Sequence, residues 1–111
     1  MLKYRNKPVK YQGHTFHSKA ELSRYIELCV LKKSGLISDL QLQPKFELLP
    51  KQKDERAVFY FADFSYVEDG KYVVEDVKGI RTRDYVIKRK LFKYLFPDYV
   101  FREICISDIC I

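Results

Sequence analysis

Apolar and polar positions follow two rhythms along this chain, and the switches between them outline a fold. From Ser18 to Ser34 apolar residues recur at helical spacing, with Leu22, Tyr25, Ile26, Cys29 and Val30 on one arc and Leu28 extending it. Ser18-Lys19-Ala20-Glu21 is a helix-start signal, and Gly35 suits a left-handed C-terminal stop. Ser38–Leu49 reads as extended chain interrupted at Pro44, as on an edge strand. Beyond a charged turn over Lys51–Arg56, the stretch Val58–Val67 is dense in β-branched and aromatic residues. It reads as one strand, apolar on both faces and therefore central. Lys71–Lys78 reads as its hairpin partner, because Asp69-Gly70 occupies the two central positions of a tight turn. Asp84–Phe96 returns to helical spacing, with Ile87, Leu91, Tyr94 and Leu95 as one apolar stripe and Tyr85, Phe92 and Phe96 as another; Pro97 ends it. Tyr99–Ser107 is a last strand. The pattern predicts an α/β (α+β) fold: a mixed central β-sheet flanked by helices.

Length and composition narrow this further. The 111 residues make room for a single domain over residues 1–111, with residues 1–13 as a basic N-terminal arm, irregular or an edge strand. Hydrophobic residues make up 47% of the chain and glycines number only four, which favours a packed core over disorder. No apolar run approaches the roughly 20 residues of a membrane span. The N-terminus lacks the apolar stretch of a signal peptide, so the expectation is a cytoplasmic protein without a membrane partner. Cys29, Cys105 and Cys110 lack the paired spacing of a zinc or redox motif and read as small hydrophobes.

A formal net charge of +6 makes nucleic acid the leading partner class, through Coulomb steering and counterion release. The plainer reading is solubility charge. Distribution favours the first, since basic residues concentrate in Lys3–Lys10 and Arg81–Lys93.

The hairpin turn sets a register. Counting outward from Glu68 opposite Lys71 puts Asp63 directly opposite Asp76, with Cβ atoms roughly 4.5–5.5 Å apart on one sheet face. Two carboxylates facing each other within an apolar strand pair need a positive partner. A divalent cation such as Mg²⁺ or Mn²⁺ would serve; so would solvent exposure at a sheet end, or Arg and Lys. Lys78 points from the same face as Asp76, and Glu75 from the other, where it could partner a basic side chain.

Each helix also carries a charge inside an apolar arc. Glu21 lies between Leu22, Tyr25 and Leu28, and either joins a site or merely caps the helix through its spacing to Ser18. Lys88 projects between the two stripes of the second helix, either snorkelling or aimed at a phosphate. Arg89, Lys90 and Lys93 fall outside the arc as solvated charges within reach of a nucleic-acid backbone.

Ser18-Lys19-Ala20-Glu21 on a first helix, Ala62-Asp63-Phe64 on a strand and Glu75-Asp76-Val77-Lys78-Gly79 on the next resemble the PD-(D/E)XK nuclease superfamily, above all its small phage-type, Holliday-junction-resolvase-like members. The resemblance spans roughly Phe16 to Phe101. It implies a restriction-endonuclease-like core and Mg²⁺-dependent endonuclease activity on DNA. Asp63 and Asp76 would hold the metal, with Glu21 completing its shell and Lys78 orienting the attacking water. Gln43, in Leu42-Gln43-Pro44, is similar to a glutamine near such sites, and Lys88 falls in the region of an auxiliary lysine. Ala62 replaces the proline of the superfamily's name, and Asp76 stands where many resolvases carry Glu.

The implied reaction is in-line attack of water on a phosphodiester. A chain this small has little surface for reading base sequence, so shape recognition of branched DNA fits better, and symmetric cutting of a junction would call for a homodimer. The alternatives are a nicking or flap endonuclease with the same site and a non-catalytic nucleic-acid-binding module. A phage origin would place the protein in the bacterial host cytoplasm.

Overall fold

The computed structural model describes residues 7–108. Of the expected N-terminal arm, residues 1–6 lie outside the described residues. The remainder enters a short hairpin, β1 (Val9–Tyr11) against β2 (His14–Phe16). Gln12 and Gly13 both hold positive φ, at 50° and 81°, as a type I′ connection requires.

Helix α1 (Lys19–Lys33) follows, capped by Ser18, whose Oγ accepts from the Glu21 N–H at 3.1 Å. The extended segment broken at Pro44 becomes β3 (Ser38–Leu42) and β4 (Lys45–Leu49). The expected single strand over Val58–Val67 is instead two, β5 (Val58–Phe61) and β6 (Phe64–Glu68), parted at Ala62-Asp63. The reason is pairing. β5 bonds only to β4 in a separate two-stranded sheet, whereas β6 lies between β3 and β7 (Lys71–Lys78). After β7 come α2 (Arg83–Leu95), β8 (Val100–Cys105) and a 3₁₀ turn over Ile106–Asp108.

The architecture is thus α+β, with two α-helices among the described residues and a mixed four-stranded sheet ordered β3-β6-β7-β8. The β6–β7 pair is antiparallel in the register that the Asp69-Gly70 turn dictates, from Glu68↔Lys71 to Phe64↔Glu75. β7 and β8 are parallel, joined through α2 as a β-α-β unit.

Alternation along β7 sends its side chains into two cores. Val74 joins Phe46, Tyr60, Tyr85 and Phe92 on the α2 side. Val73 joins Phe16, Leu28, Phe64 and Tyr66 on the α1 side. The helix faces are rotated from the arcs read off the sequence. On α1 the buried residues are Ala20, Glu21 and Leu28, while Val30 is 62% exposed. On α2 they are Tyr85 and Phe92, while Ile87 and Tyr94 of the other stripe are 59% and 80% exposed. The rotation of α1 has a physical cause: its inward face must answer charged groups on the sheet. No helix among the described residues is long and apolar enough to cross a membrane.

Candidate functional site

The break between β5 and β6 creates the site. Ala62 donates to the Pro44 carbonyl at 3.1 Å and Asp63 to the Glu75 carbonyl at 3.0 Å, while Gln43 N–H donates to the Asp63 carbonyl at 2.9 Å. Asp63 is therefore held between the β3–β4 corner and the end of β7. It does not stand opposite Asp76 in the ladder, which stops one residue earlier at Phe64↔Glu75. The Asp63 carboxylate reaches across and accepts the Val77 backbone N–H at 2.7 Å.

Asp76 is 1% exposed on the α2 face of β7. Tyr60 Oη donates to its Oδ2. Lys78 Nζ is 2.7 Å from Oδ1 as an ion pair. Oδ1 has no other hydrogen-bond partner among the described residues, so the Lys78 ammonium is what meets its charge. Lys78 also lies over the Tyr85 ring, 4.2 Å from its centroid, which fixes the ammonium at the sheet end.

On the opposite side, α1 brings Glu21, 4% exposed. Ser18 caps the helix through the Glu21 N–H, but the Glu21 carboxylate turns to His17, with Nδ1···Oε2 at 3.2 Å, and toward Asp63. The cap and the site are thus served by different atoms of one residue. Ligand atoms of His17, Glu21 and Asp63 lie within 4.8 Å of one another. A cleft of about 270 Å³ opens onto Glu21 and Asp63, walled by the β1–β2 hairpin, Leu42 and Gln43.

The electrostatics follow from three acids at one sheet end. Burial pushes the Asp63 carboxyl up to about 8; Asp76 and Glu21 add to the rise, and the Val77 N–H and Lys78 offset part of it. Burial likewise raises Glu21, opposed by His17. Tyr60 is driven well above the ordinary phenol range by burial and by Asp76, so it stays a donor.

Glu75, 0% exposed on the other face of β7, is answered separately. Arg24 of α1 binds it with both arms of its fork, Nε to Oε1 at 2.8 Å and Nη2 to Oε2 at 2.6 Å, and Tyr66 Oη adds a third bond. Glu75 is a structural ion-pair partner, the role the sequence had left open for it.

The remaining candidates divide. Gln43 lies on the cleft wall, its backbone at φ 49°, a left-handed conformation that marks the β3–β4 corner. Lys88 is not drawn to the acids; its Nζ pairs with Asp84, one turn back, at 3.6 Å. Arg89 donates to Glu103 at 3.2 Å, in a network that Arg81 and Tyr85 share. Burial works against the Glu103 charge, yet those bonds hold its carboxyl at about 2. Lys90 is exposed on α2.

His17, Tyr60 and Arg24 were missed in the sequence. His17 had one available signal, its four-residue spacing to Glu21, but it precedes the helix cap, so periodicity could not place it. Tyr60 belonged to the apolar stretch Val58–Val67 and nothing in the local pattern singled out Arg24; the fold brings them to Asp76 and Glu75. A family model described as "Protein of unknown function (DUF1064)" matches residues 1–108. No curated protein and no solved structure matches.

Proposed function

We propose that this chain, which belongs to the DUF1064 family, is a divalent-cation-dependent endonuclease that hydrolyses phosphodiesters in DNA, structure-specific in the manner of Holliday-junction resolvases. One observation carries the reading: the carboxylates of Glu21 and Asp63 come within 4.8 Å of each other at the sheet end where the buried Asp76 is paired with Lys78.

The donor set fits Mg²⁺ or Mn²⁺, since the crowded acids offer hard oxygens from which a cation would displace a proton. Asp63 and Asp76 would hold it, with Glu21 from the α1 side. When bound, the cation lowers the pKa of water and offsets charge on the scissile phosphate. The chain's own groups do the rest. Lys78, steadied by Asp76 and the Tyr85 ring, stands where an ammonium can orient water and neutralise the pentavalent phosphate. Tyr60 holds Asp76 in one rotamer. Gln43, on the cleft wall, would contact the nucleotide, and Lys88, Arg89 and Lys90 of α2 would grip phosphates without reading bases.

The mixed sheet with a helix on each face is the arrangement a restriction-endonuclease-like core would need. A homodimer would supply the two sites for paired cuts, and the protein would act in the cytoplasm.

The test is incubation of the protein with labelled four-way junction, flap, nicked duplex and single-stranded DNA in Mg²⁺, Mn²⁺ or EDTA. Symmetric junction cuts, lost in EDTA and in Asp63→Asn and Lys78→Ala, are expected. Metal-dependent cutting of other substrates would keep the nuclease and discard the junction. Salt-sensitive binding without any cutting would leave a nucleic-acid-binding module.

A further inference from the structure

Resting on that reading of the acids, we infer that His17 is a ligand of the same cation centre, so that the His17–Glu21–Asp63 cluster takes Mn²⁺ in preference to Mg²⁺. Ligand spacing supports it first. Nδ1 of His17 and Oε2 of Glu21 are 3.2 Å apart. Adjacent corners of an octahedron with 2.0–2.1 Å bonds lie about 3 Å apart, so the two atoms can share one cation. The Asp63 oxygen completes a set within 4.8 Å, against about 3–4 Å between corners of that octahedron, so binding would draw the three ligands inward. The position of His17 in the chain adds a second argument. It stands one residue before the Ser18 cap, outside the helix, with its side chain 66% exposed and in contact with Glu21. The ring can turn to a cation with no repacking.

Composition of the donor set then decides the metal. Carboxylates alone suit Mg²⁺, which retains its waters and favours oxygen. An imidazole nitrogen shifts the balance toward the transition series, where Mn²⁺ accepts oxygen and nitrogen together. Asp63 lies between Glu21 and Asp76, so it would serve the His17–Glu21 side and the Asp76–Lys78 side of one centre.

The experiment is titration of the intact protein with Mn²⁺ and with Mg²⁺ by calorimetry, together with pulsed electron paramagnetic resonance of the Mn²⁺-loaded protein. The chain has two histidines, so His14→Gln serves as control for His17→Gln. His17→Gln should fold normally, given its exposure. Wild type and His14→Gln are expected to bind Mn²⁺ more tightly than Mg²⁺ and to show nitrogen hyperfine coupling. In His17→Gln the coupling should vanish and the Mn²⁺ to Mg²⁺ affinity ratio should fall roughly tenfold. An unchanged ratio without nitrogen coupling in wild type, while Asp63→Asn abolishes binding, overturns the histidine ligand and leaves the acid site standing. Absence of cation binding to wild type at millimolar metal would overturn both.

Discussion

Asp63 shows how much one backbone break can do. Because β5 leaves the central sheet and β6 joins it, residue 63 has its N–H and its carboxylate tied to β7, at Glu75 and Val77, and its carbonyl tied to Gln43 at the β3–β4 corner. That places an acid near both Asp76 and Glu21. Its proton is consequently held in the folded protein up to about pH 8, against an ordinary value of 3.8. The folded state then binds a proton that the unfolded chain has released, so stability of the EDTA-treated protein should fall as pH rises from about 4 to about 8. Asp63→Asn should flatten that decline. It should raise the melting temperature at pH 8 by about 4 °C or more and change it little at pH 4, as thermal denaturation at the two pH values would report. A melting temperature that is insensitive to pH in the metal-free wild type would mean that Asp63 is not crowded by its neighbours.

At the scale of elements, the link between α1 and the sheet is ionic at its centre. Arg24 holds Glu75 with two hydrogen bonds in a position with no solvent access, and Tyr66, bonded in turn by Arg102, completes the carboxylate's shell. Removing one member leaves a buried charge without a partner. Arg24→Ala should cost about 3–5 kcal/mol in urea unfolding. Glu75→Gln in that background should recover part of the loss, because the uncompensated charge is gone. The same pairing sets the rotation of α1: once Arg24 must face Glu75, Glu21 is carried to the cleft end and Leu28 to the hydrophobic centre, while Ile26 and Val30 turn outward. A loss of less than about 1 kcal/mol in Arg24→Ala would show that apolar packing alone seats the helix.

Across the whole molecule, the acids are gathered at one sheet end while the chain carries a net charge of +6. The excess of positive charge outside the site is what would draw a polyanion to it. Binding of duplex DNA in EDTA should weaken linearly on a plot of log affinity against log salt. Lys90→Ala should reduce the slope by about 0.9 if Lys90 meets one phosphate. Arg89→Ala is expected to lower stability as well, since Arg89 helps hold Glu103. A slope unchanged by Lys90→Ala would remove the exposed face of α2 from the DNA path.

What the sequence determined by itself was local: the Asp69-Gly70 turn and the register it propagates, the start of α1 at Ser18, the placement of Asp76 and Lys78 on one face of β7 and of Glu75 on the other. These follow from backbone preferences and the twofold repeat of a strand, which act over a few residues. The sequence could not announce the parting of Val58–Val67, because nothing in its own pattern distinguishes pairing with β4 from pairing with β3 and β7. Nor could it show which faces of the helices turn inward. Ile87 and Tyr94 read as part of an apolar stripe but face solvent, while Glu21 and Arg24 were taken inward. Burial of a charged side chain depends on a partner supplied from elsewhere in the chain, and only the tertiary structure brings that partner within hydrogen-bonding distance.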